Sequence, residues 1–324
     1  MNRIKTLRVS VTDRCNLRCV YCMPAEGVRL IPHHEIITFE EIERTARAAV
    51  RAGVEKVRIT GGEPLVRRNI VELVDKLARV PGIRDLPMTT NGVLLADFAA
   101  DLKRAGLSRV TVSMDTLLPA RFEKIARQPW LHRVMAGIEA ALRAGLSPVK
   151  INVVVVPGQN DDEVPAFARL ARERDLEVRF IERMPLIDRG LSPHCGAVSD
   201  DYIPSAKLRK RIEAEFGPMP LLNGSDPSQP ARVYGLPGGR GRIGFVAAMS
   251  EPFCQWCGRM RLTPDGKFRV CLVRDLELDV KGPLRSGADD EELLKIFERA
   301  VAMKPYQQAA CFAPMNRVMS QIGG

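Results

Sequence analysis

Short apolar runs alternate with stretches of helical period over the first 183 residues. The runs read as strands at 7–12, 56–60, 86–91, 109–115, 149–156 and 177–183. The stretches between them read as helices at 39–52, 70–79, 96–105, 131–144 and 162–174. Regular alternation of this kind is typical of a parallel sheet covered by helices. Because there are six repeats and not eight, the pattern predicts an α/β fold with a partial (β/α)6 TIM-type barrel.

The alternation fades after Glu182, and residues 187–250 are richer in proline and glycine. We interpret this change as the passage to a smaller C-terminal part. The expected division is a partial barrel over 1–216 and a C-terminal region over 217–324.

Four of the predicted strands place cations on the face opposite their apolar residues. Strand residues alternate between the two faces of a sheet, and helices would cover the apolar face. The cations predicted to point into the barrel are Arg8, Lys56, Arg58, Lys150 and Arg179. A closed barrel interior is normally filled with apolar side chains, and buried unpaired cations are costly. We therefore expect an open lumen that holds a polyanionic ligand; the alternative is that these cations lie near strand ends and reach solvent.

The charge balance favours an anionic partner, since 49 Lys and Arg face 39 Asp and Glu, for a net charge of +10. Charge alone does not choose between nucleotide, nucleic acid and membrane. Only 5% of residues are aromatic and the basic residues form no runs, which argues against nucleic acid. The N-terminal 14 residues lack an apolar signal segment, and no stretch approaches the length of a membrane span. We expect a cytoplasmic protein with reduced thiols.

Three cysteines, Cys15, Cys19 and Cys22, lie within eight residues directly after the first predicted strand. A Cys-x3-Cys-x2-Cys arrangement can hold three irons of a [4Fe-4S] cluster and leave the fourth open to an outside ligand. The alternative is a zinc site, which would need a fourth ligand such as His33 or His34.

Other polar segments also follow strands. The second, third and fourth strands are followed by "TGGEPL" (60–65), "TTNG" (89–92) and "SMDT" (113–116). The carboxyl ends of parallel barrel strands meet at one face, where barrel enzymes keep their chemistry. We expect these segments and the cysteines to share that face. Glu63 and Asp115 could act in acid–base chemistry, although cofactor binding is the expected role of Glu63.

A second group of cysteines, Cys254, Cys257 and Cys271, lies near the C-terminus. Pro264-Asp265-Gly266 is turn chemistry between two alternating segments and predicts a hairpin over 258–272. If Thr263 pairs with Lys267, Cys271 lies opposite Arg259 and close to Cys257, and the three cysteines converge.

Arg259 and Arg261 would then share one strand face beside these thiols. The alternatives are half a zinc ribbon or a chance Cys-x2-Cys. Cys195 and Cys311 belong to neither group and are expected to be ordinary thiols.

The stretches "DRCNLRCVYCMP" (13–24) and "GGEP" (61–64) resemble the radical S-adenosylmethionine (SAM) enzymes. The resemblance implies that the open iron of the first cluster chelates the amino and carboxylate groups of S-adenosyl-L-methionine. It also implies that an electron from the cluster cleaves this cofactor to a 5′-deoxyadenosyl radical. The cofactor-binding residues implied are Tyr21, Gly61, Gly62, Glu63, Thr90, Asn91 and Ser113.

Both cysteine groups, together with the ending "QIGG", resemble the GTP 3′,8-cyclases of molybdenum cofactor biosynthesis over nearly the full chain. The resemblance implies two [4Fe-4S] clusters, hydrogen abstraction from ribose C3′ of GTP, and attack of the sugar radical on guanine C8. It implies that the second cluster binds the guanine edge. It assigns the triphosphate to Arg8, Lys56, Arg58, Lys150, Arg179, Arg259 and Arg261.

Gly323 and Gly324 form a tail that the same resemblance brings to the active site in support of the radical chemistry, together with Arg259 and Arg261. Implied partners are an electron donor such as flavodoxin or ferredoxin and the cyclic pyranopterin monophosphate synthase that acts next. Two positions depart from the family pattern: Gly258, where a polar residue is expected, and Arg183, where an aromatic residue is usual. Two alternatives stay open, a radical SAM enzyme that acts on a peptide and a zinc protein that binds nucleic acid.

Overall fold

The computed structural model describes residues 4–184, 194–195, 202–222, 229–307, 311–312 and 316–323. Its strands are β1 (Thr6–Ser10), β2 (Lys56–Thr60), β3 (Pro87–Thr90), β4 (Arg109–Ser113), β5 (Val149–Val155), β6 (Leu176–Glu182), β7 (His194–Cys195), β8 (Arg232–Gly235), β9 (Arg242–Val246), β10 (Arg259–Leu262), β11 (Lys267–Arg269), β12 (Glu277–Asp279) and β13 (Cys311–Phe312).

The α-helices are α1 (Phe39–Arg51), α2 (Ile70–Ala78), α3 (Leu95–Arg104), α4 (Pro119–Ala126), α5 (Leu131–Arg143), α6 (Val164–Glu173), α7 (Ser205–Phe216), α8 (Lys281–Arg285) and α9 (Asp290–Ala302). Short 3-10 helices cover His33–Glu35, Pro64–Val66, Asp161–Glu163, Cys254–Trp256 and Met319–Gln321. None of the helices in the described part of the chain is long and apolar enough to cross a bilayer.

The six predicted strands are confirmed as a parallel array, β1-β2-β3-β4-β5-β6 in spatial order. The five predicted helices are confirmed as α1, α2, α3, α5 and α6, with ends that differ from the prediction by one or two residues. Helix α4, between β4 and α5, was not predicted; it is short and begins at a proline.

The sheet is wider than the sequence predicted, because C-terminal strands join both of its sides. β10 pairs in parallel with β1, and β9 pairs in parallel with β6, so that eight parallel strands lie side by side. β11 and β12 extend the β10 side in antiparallel fashion, and β8 extends the β9 side. The sheet therefore runs through both predicted parts of the chain, and the division at residue 216 stays a prediction.

The apolar face of the barrel strands forms the core with the helices, as the alternation predicted. Leu7, Val9, Val57 and Ile59 are fully buried and belong to the same apolar cluster as the inward face of α1. Thr38 caps the N-terminus of α1 with a capping box, in which Thr38 and Glu41 accept hydrogen bonds from each other's backbone N–H groups. This packing leaves the opposite strand face, with its cations, turned toward the lumen.

The predicted hairpin is confirmed, including its register. Arg261 pairs with Arg269, and the Thr263 N–H donates to the Lys267 carbonyl at 2.9 Å. Gly266 has a φ of 73°, which a residue without a Cβ adopts without strain in this turn. The turn thus pairs β10 with β11, and the parallel pairing of β10 with β1 places the second cysteine group beside the barrel.

Candidate active site

The cysteine loop (13–24) follows the carboxyl end of β1 and is hydrogen-bonded to the C-terminal end of α4. The Arg18 N–H donates to the Ala126 carbonyl at 3.2 Å. The Arg127 guanidinium donates to the carbonyls of Arg18 and Met23 at 2.7 and 3.0 Å. The C-terminal end of α4 therefore holds the cysteine loop in its middle, at Arg18, and just after its last cysteine, at Met23.

The three thiols of this loop are free and half-buried. Burial raises the pKa of Cys15 to about 11 and that of Cys22 to about 12, and it raises the pKa of Cys19 further. Repulsion between the thiolates adds to the increase for Cys19 and Cys22, because both lie close to other members of the group. The three thiols lie close enough to interact electrostatically, and a cationic iron centre would favour the thiolate forms that burial and repulsion disfavour.

Two glycines bring the segment after β2 against the cysteine loop. A Cβ on Gly62 would lie 2.4 Å from the Arg14 carbonyl oxygen, and one on Gly61 would lie 2.9 Å from that of Thr12. The Gly62 N–H donates to the same Thr12 oxygen at 2.7 Å. A side chain at either position would push the two segments apart, since contacts this short are not tolerated.

Glu63 follows these glycines and is fully buried. Its carboxylate accepts from the Leu65 N–H at 3.0 Å, the Thr90 hydroxyl at 2.7 Å and the Asn91 N–H at 2.6 Å. Burial raises the pKa of Glu63 to about 7 against these hydrogen bonds. The hydrogen-bond donors are all neutral, so a ligand ammonium group would complement this carboxylate.

Tyr21 and Asn91 connect the cysteine loop to strands further along the sheet. The Tyr21 hydroxyl donates to Asp115 at 2.5 Å, and Asp115 also accepts from the Val154 N–H at 2.8 Å. Burial raises the pKa of Asp115 to about 6. Asn91 donates to Asn16 at 2.7 Å and approaches the sulfur of Cys15 at 3.8 Å.

Asp115 was a candidate for acid–base chemistry in the sequence analysis, whereas in the structure its carboxylate accepts a hydrogen bond from Tyr21. Ser113 lies at the end of β4, opposite Asn152 of β5, and is half-buried. The segments after β1, β2, β3 and β4 thus meet at one face, as predicted.

Three arginines form a row across β10, β1 and β2. Arg8 is the register partner of Arg261 on one side and of Arg58 on the other. Burial is the largest cause of a lowered pKa in all three, which is about 9 for Arg58 and about 10 for Arg261, and repulsion by neighbouring arginines contributes to each shift. Arg58 donates to the hydroxyls of Thr89 and Thr111 at 3.0 and 3.2 Å. Arg261 is buried and Arg8 and Arg58 are half-buried, and cations this close together and partly desolvated favour a polyanion beside them.

The other three cations that were predicted to point into the barrel, Lys56, Lys150 and Arg179, have carboxylate partners that the sequence analysis missed. Lys56 lies 2.9 Å from Asp85, and Lys150 donates to Glu177 at 2.8 Å. Arg179 also donates to Glu177. Burial is the largest cause of the lowered pKa of Lys150, about 8. Strand alternation could have found Glu177, because it stands two residues before Arg179 and shares its face.

Two features of the lumen fit a bound ligand: a glycine beside Arg179 and buried polar side-chain atoms without a partner among the described residues. Gly244 is the register partner of Arg179, and a Cβ there would lie 3.0 Å from the Arg179 Cγ. The Ser10 hydroxyl and the side-chain amide oxygen of Asn152 are buried, and neither atom has a hydrogen-bond partner among the described residues. Buried polar atoms of this kind fit a polar ligand in the lumen.

The second cysteine group surrounds the start of β10. The Cys257 N–H donates to the Cys254 carbonyl at 3.1 Å in a short 3-10 turn. The Arg259 guanidinium donates to the Cys257 sulfur at 3.5 Å and lies 4.7 Å from the centre of the Phe253 ring. Burial raises the pKa of Cys254, and the nearby thiols of Cys257 and Cys271 raise it too, so Cys271 lies close to the other two cysteines.

Lys304 also reaches this group, and sequence reasoning missed it. Burial raises the pKa of the Cys257 thiol, but the nearby charges of Arg259 and Lys304 outweigh burial and lower that pKa to about 7. The thiolate form is favoured, which fits ligation of iron by this group. Within the described part of the chain, no three His, Cys, Asp or Glu side chains are placed to hold a single metal ion.

The C-terminal segment 316–323 crosses from the hairpin to the mouth of the barrel. Arg317 donates to both oxygens of Asp265, at 3.0 and 2.8 Å. The Ser320 backbone hydrogen-bonds the Cys22 thiol, and the Gly323 carbonyl accepts from Arg261. Gly323 thus lies beside the row of lumen arginines, while Gly324 lies outside the described residues.

The two unusual positions are both in the described part of the chain. The Gly258 carbonyl accepts from the N–H groups of Lys5 and Thr6 at 2.9 and 3.0 Å and so joins β10 to the start of β1. Arg183 is exposed just after β6. Neither Gly258 nor Arg183 belongs to the row of arginines formed by Arg8, Arg58 and Arg261.

The chain resembles known proteins in fold and in sequence. The profile of the Radical SAM superfamily matches residues 9–171. The structure resembles that of Streptococcus suis SuiB, with a TM-score of 0.59 at 15% identity, covering 90% of this chain and 67% of that one. It also resembles anSMEcpe with bound AdoMet, with a TM-score of 0.55 at 14% identity, covering 93% of this chain and 81% of that one. At these identities the likeness shows the fold alone, and together with the sequence profile it defines a radical SAM protein.

The profile described as Molybdenum Cofactor Synthesis C matches residues 176–310. A GTP 3′,8-cyclase of Moorella thermoacetica is 48% identical, with 99% of this chain and 98% of the relative covered. A GTP 3′,8-cyclase of Heliobacterium modesticaldum is 48% identical with the same coverage. The chain belongs to the GTP 3′,8-cyclase family of radical SAM enzymes, as the two resemblances implied.

Proposed function

We propose that this chain converts GTP and S-adenosyl-L-methionine into (8S)-3′,8-cyclo-7,8-dihydroguanosine 5′-triphosphate, 5′-deoxyadenosine and methionine, an early step of molybdenum cofactor biosynthesis. Family membership supports the reaction class. The observation that best supports GTP as the substrate is the row formed by the half-buried Arg8 and Arg58 and the buried Arg261 inside the barrel mouth. Cationic residues in a lumen of this kind match a triphosphate better than a peptide backbone, which carries no repeated negative charge.

In this proposal Cys15, Cys19 and Cys22 hold one [4Fe-4S] cluster, and Glu63 binds the amino group of S-adenosyl-L-methionine. Bound together, this cluster and cofactor supply a one-electron cleavage that starts radical chemistry. The chain's own residues orient the reactants: Gly61 and Gly62 let the Glu63 segment approach the cysteine loop. The remaining cofactor contacts proposed are Tyr21, Thr90, Asn91 and Ser113.

The substrate-binding residues proposed are Arg8, Lys56, Arg58, Lys150, Arg179, Arg259 and Arg261. Hydrogen abstraction from C3′ makes a ribose radical, whose attack on C8 forms the new carbon–carbon bond. One electron and one proton from outside then complete the product, which is an isomer of GTP. Holding C3′ and C8 in reach of each other is the task of these cations and the second cluster, since orientation contributes strongly to rate.

Removing charge from the lumen is expected to weaken GTP binding more than guanosine binding. Lys56→Ala, Arg58→Ala or Lys150→Ala each removes one charge-assisted contact, worth about 1.5–3 kcal/mol. That corresponds to about 10- to 160-fold in affinity for GTP. Calorimetry with GTP and guanosine on the reconstituted protein measures the difference.

Lys103→Ala is the matched control, because Lys103 is an exposed lysine on α3 that donates to the Gly145 carbonyl and is not a residue of any lumen strand. It should leave both affinities unchanged. Equal losses for GTP and guanosine in the lumen variants would assign these residues to the fold or to the cofactor.

We propose a second [4Fe-4S] cluster on Cys254, Cys257 and Cys271. Cys271→Ser should remove about half of the iron, because each cluster carries four irons. It should also stop GTP turnover while still permitting some cleavage of S-adenosyl-L-methionine, since the first cysteine group lies on a separate loop. Iron analysis and 5′-deoxyadenosine formation measure the two effects.

Full iron content together with full GTP turnover in Cys271→Ser would show that Cys271 is not a ligand. Cys311→Ser is a control on a cysteine outside both groups, and it is expected to keep the iron of both clusters.

An electron donor such as flavodoxin or ferredoxin and the cyclic pyranopterin monophosphate synthase are proposed partners, and a cytoplasmic location stays a prediction from the sequence. The proposed function is tested by anaerobic incubation with S-adenosyl-L-methionine and either GTP, GDP or ATP. GTP should give a product of unchanged mass but shifted chromatographic retention. No such product from GTP with both clusters present would contradict the proposal.

A further inference from the structure

Lys304 follows helix α9 and is buried, with 7% of its surface exposed. Its ammonium group donates to the Arg259 carbonyl at 2.7 Å and to the Val270 carbonyl at 2.6 Å. It also hydrogen-bonds the sulfur of Cys257. An ammonium group has three donors, so these three acceptors use all of them.

The positions of these acceptors link Lys304 to the second cysteine group. Arg259 stands two residues after Cys257 at the start of β10, and Val270 stands directly before Cys271. One buried cation therefore ties together the two backbone segments that carry two of the cysteines. A surface lysine that only covered the hairpin would keep its ammonium group in water.

Burial of an ammonium group is costly unless an anion or several acceptors compensate it. Two carbonyls compensate Lys304 in part, and no carboxylate is hydrogen-bonded or ion-paired to it in the described ranges. The anions beside it are the thiolates of Cys257 and Cys271. The charge of Lys304 thus complements a ligand set that is itself negative.

We propose that Lys304 is a positioning residue that holds the Cys257 and Cys271 segments together and stabilises the negative charge of an iron–sulfur cluster on Cys254, Cys257 and Cys271. The inference rests on the proposed second cluster and adds to it a residue outside the ligand set. Partners of this kind behind a ligand typically change metal retention by about 10- to 100-fold.

The test compares Lys304→Met, which removes the charge and all three donors, with Lys304→Arg, which keeps a cation. Both are made in the full chain with Cys15, Cys19 and Cys22 replaced by alanine, so that the reconstituted iron belongs to the second site. Lys304→Met should lose this iron to a chelator about tenfold faster or more. Lys304→Arg should restore much of the retention, and Lys103→Met should behave as the parent.

The reduction potential of the second cluster separates a charge effect from a purely structural one. Loss of a neighbouring cation disfavours the more negative, reduced state, so Lys304→Met should shift the potential to a more negative value. Lys304→Gln, which keeps a donor without the charge, should show the same direction of shift. Thermal unfolding of each apo variant controls for misfolding.

The experiments separate a failure of the role of Lys304 from a failure of the proposed second cluster. If Cys271→Ser loses no iron, the second cluster itself is wrong. If Cys271→Ser loses iron but Lys304→Met keeps both the retention and the potential of the parent, the cluster stands and the role of Lys304 is overturned. Faster iron loss with an unchanged potential and no rescue by arginine would also overturn it, because the charge would then have no effect.

Discussion

Replacing Cys19 with alanine is expected to abolish cleavage of S-adenosyl-L-methionine while the second cluster still assembles. Cys19 is the middle cysteine of the loop between β1 and α1, and its thiol interacts electrostatically with those of Cys15 and Cys22. A site reduced to two thiolates cannot hold three irons of the cluster. The second group lies more than 200 residues later in the sequence and should keep its iron.

The measurement is formation of 5′-deoxyadenosine under anaerobic reducing conditions, with iron and sulfide determined on the same sample. Cys195→Ala is the control, because Cys195 belongs to neither group. The control should form 5′-deoxyadenosine at the parent rate. If Cys19→Ala also does so, the assignment of the first cluster is wrong.

Deletion of Gly323 and Gly324 is expected to leave both clusters and GTP affinity nearly intact but to stop formation of the cyclised product. Gly323 sits where a side chain could not: a Cβ would lie 2.6 Å from Thr60 Cγ2 and 3.0 Å from Ser10 Cβ. Its carbonyl accepts from Arg261, a residue of the lumen row. The deletion removes this contact but no cysteine and no cation, so chemistry should suffer more than binding.

Product formation and GTP affinity are measured on truncated protein with fully reconstituted clusters. Gly323→Ala is a second variant, and it should lower product yield because Gly323 has a φ of 72° and no room for a Cβ. A synthetic peptide ending in "SQIGG" should partly restore the truncated protein. Normal product yield after truncation would show that the tail has no role in the reaction and is an ordinary frayed terminus.

The parts of the site that follow local rules could be predicted from the sequence. Strand alternation turned Arg8 and Arg58 inward because the side-chain period of a strand is two, whatever lies around it. The hairpin register followed from the turn at Pro264-Asp265-Gly266, which fixes which residues face each other. The meeting of the cysteine loop with Glu63 followed from parallel strands sharing one carboxyl end.

The parts that depend on distant contacts could not be predicted in this way. Asp85 and Lys304 meet their partners only in the fold, and neither stands in a segment with a periodic signal. The parallel pairing of β9 and β10 with the two sides of the barrel was missed because these strands are short and follow turn-rich segments. The placement of Gly323 came from the family resemblance, since a terminal glycine pair carries no side chain that a sequence pattern could assign.

The most direct test of the central claim is incubation of the reconstituted protein with GTP that carries deuterium at ribose C3′. We predict that this deuterium appears in the 5′-deoxyadenosine formed, and that an isomer of GTP accumulates with one equivalent of 5′-deoxyadenosine per turnover. 5′-Deoxyadenosine without deuterium, formed while the nucleotide is recovered unchanged, would contradict the assignment of GTP as the substrate of this chain.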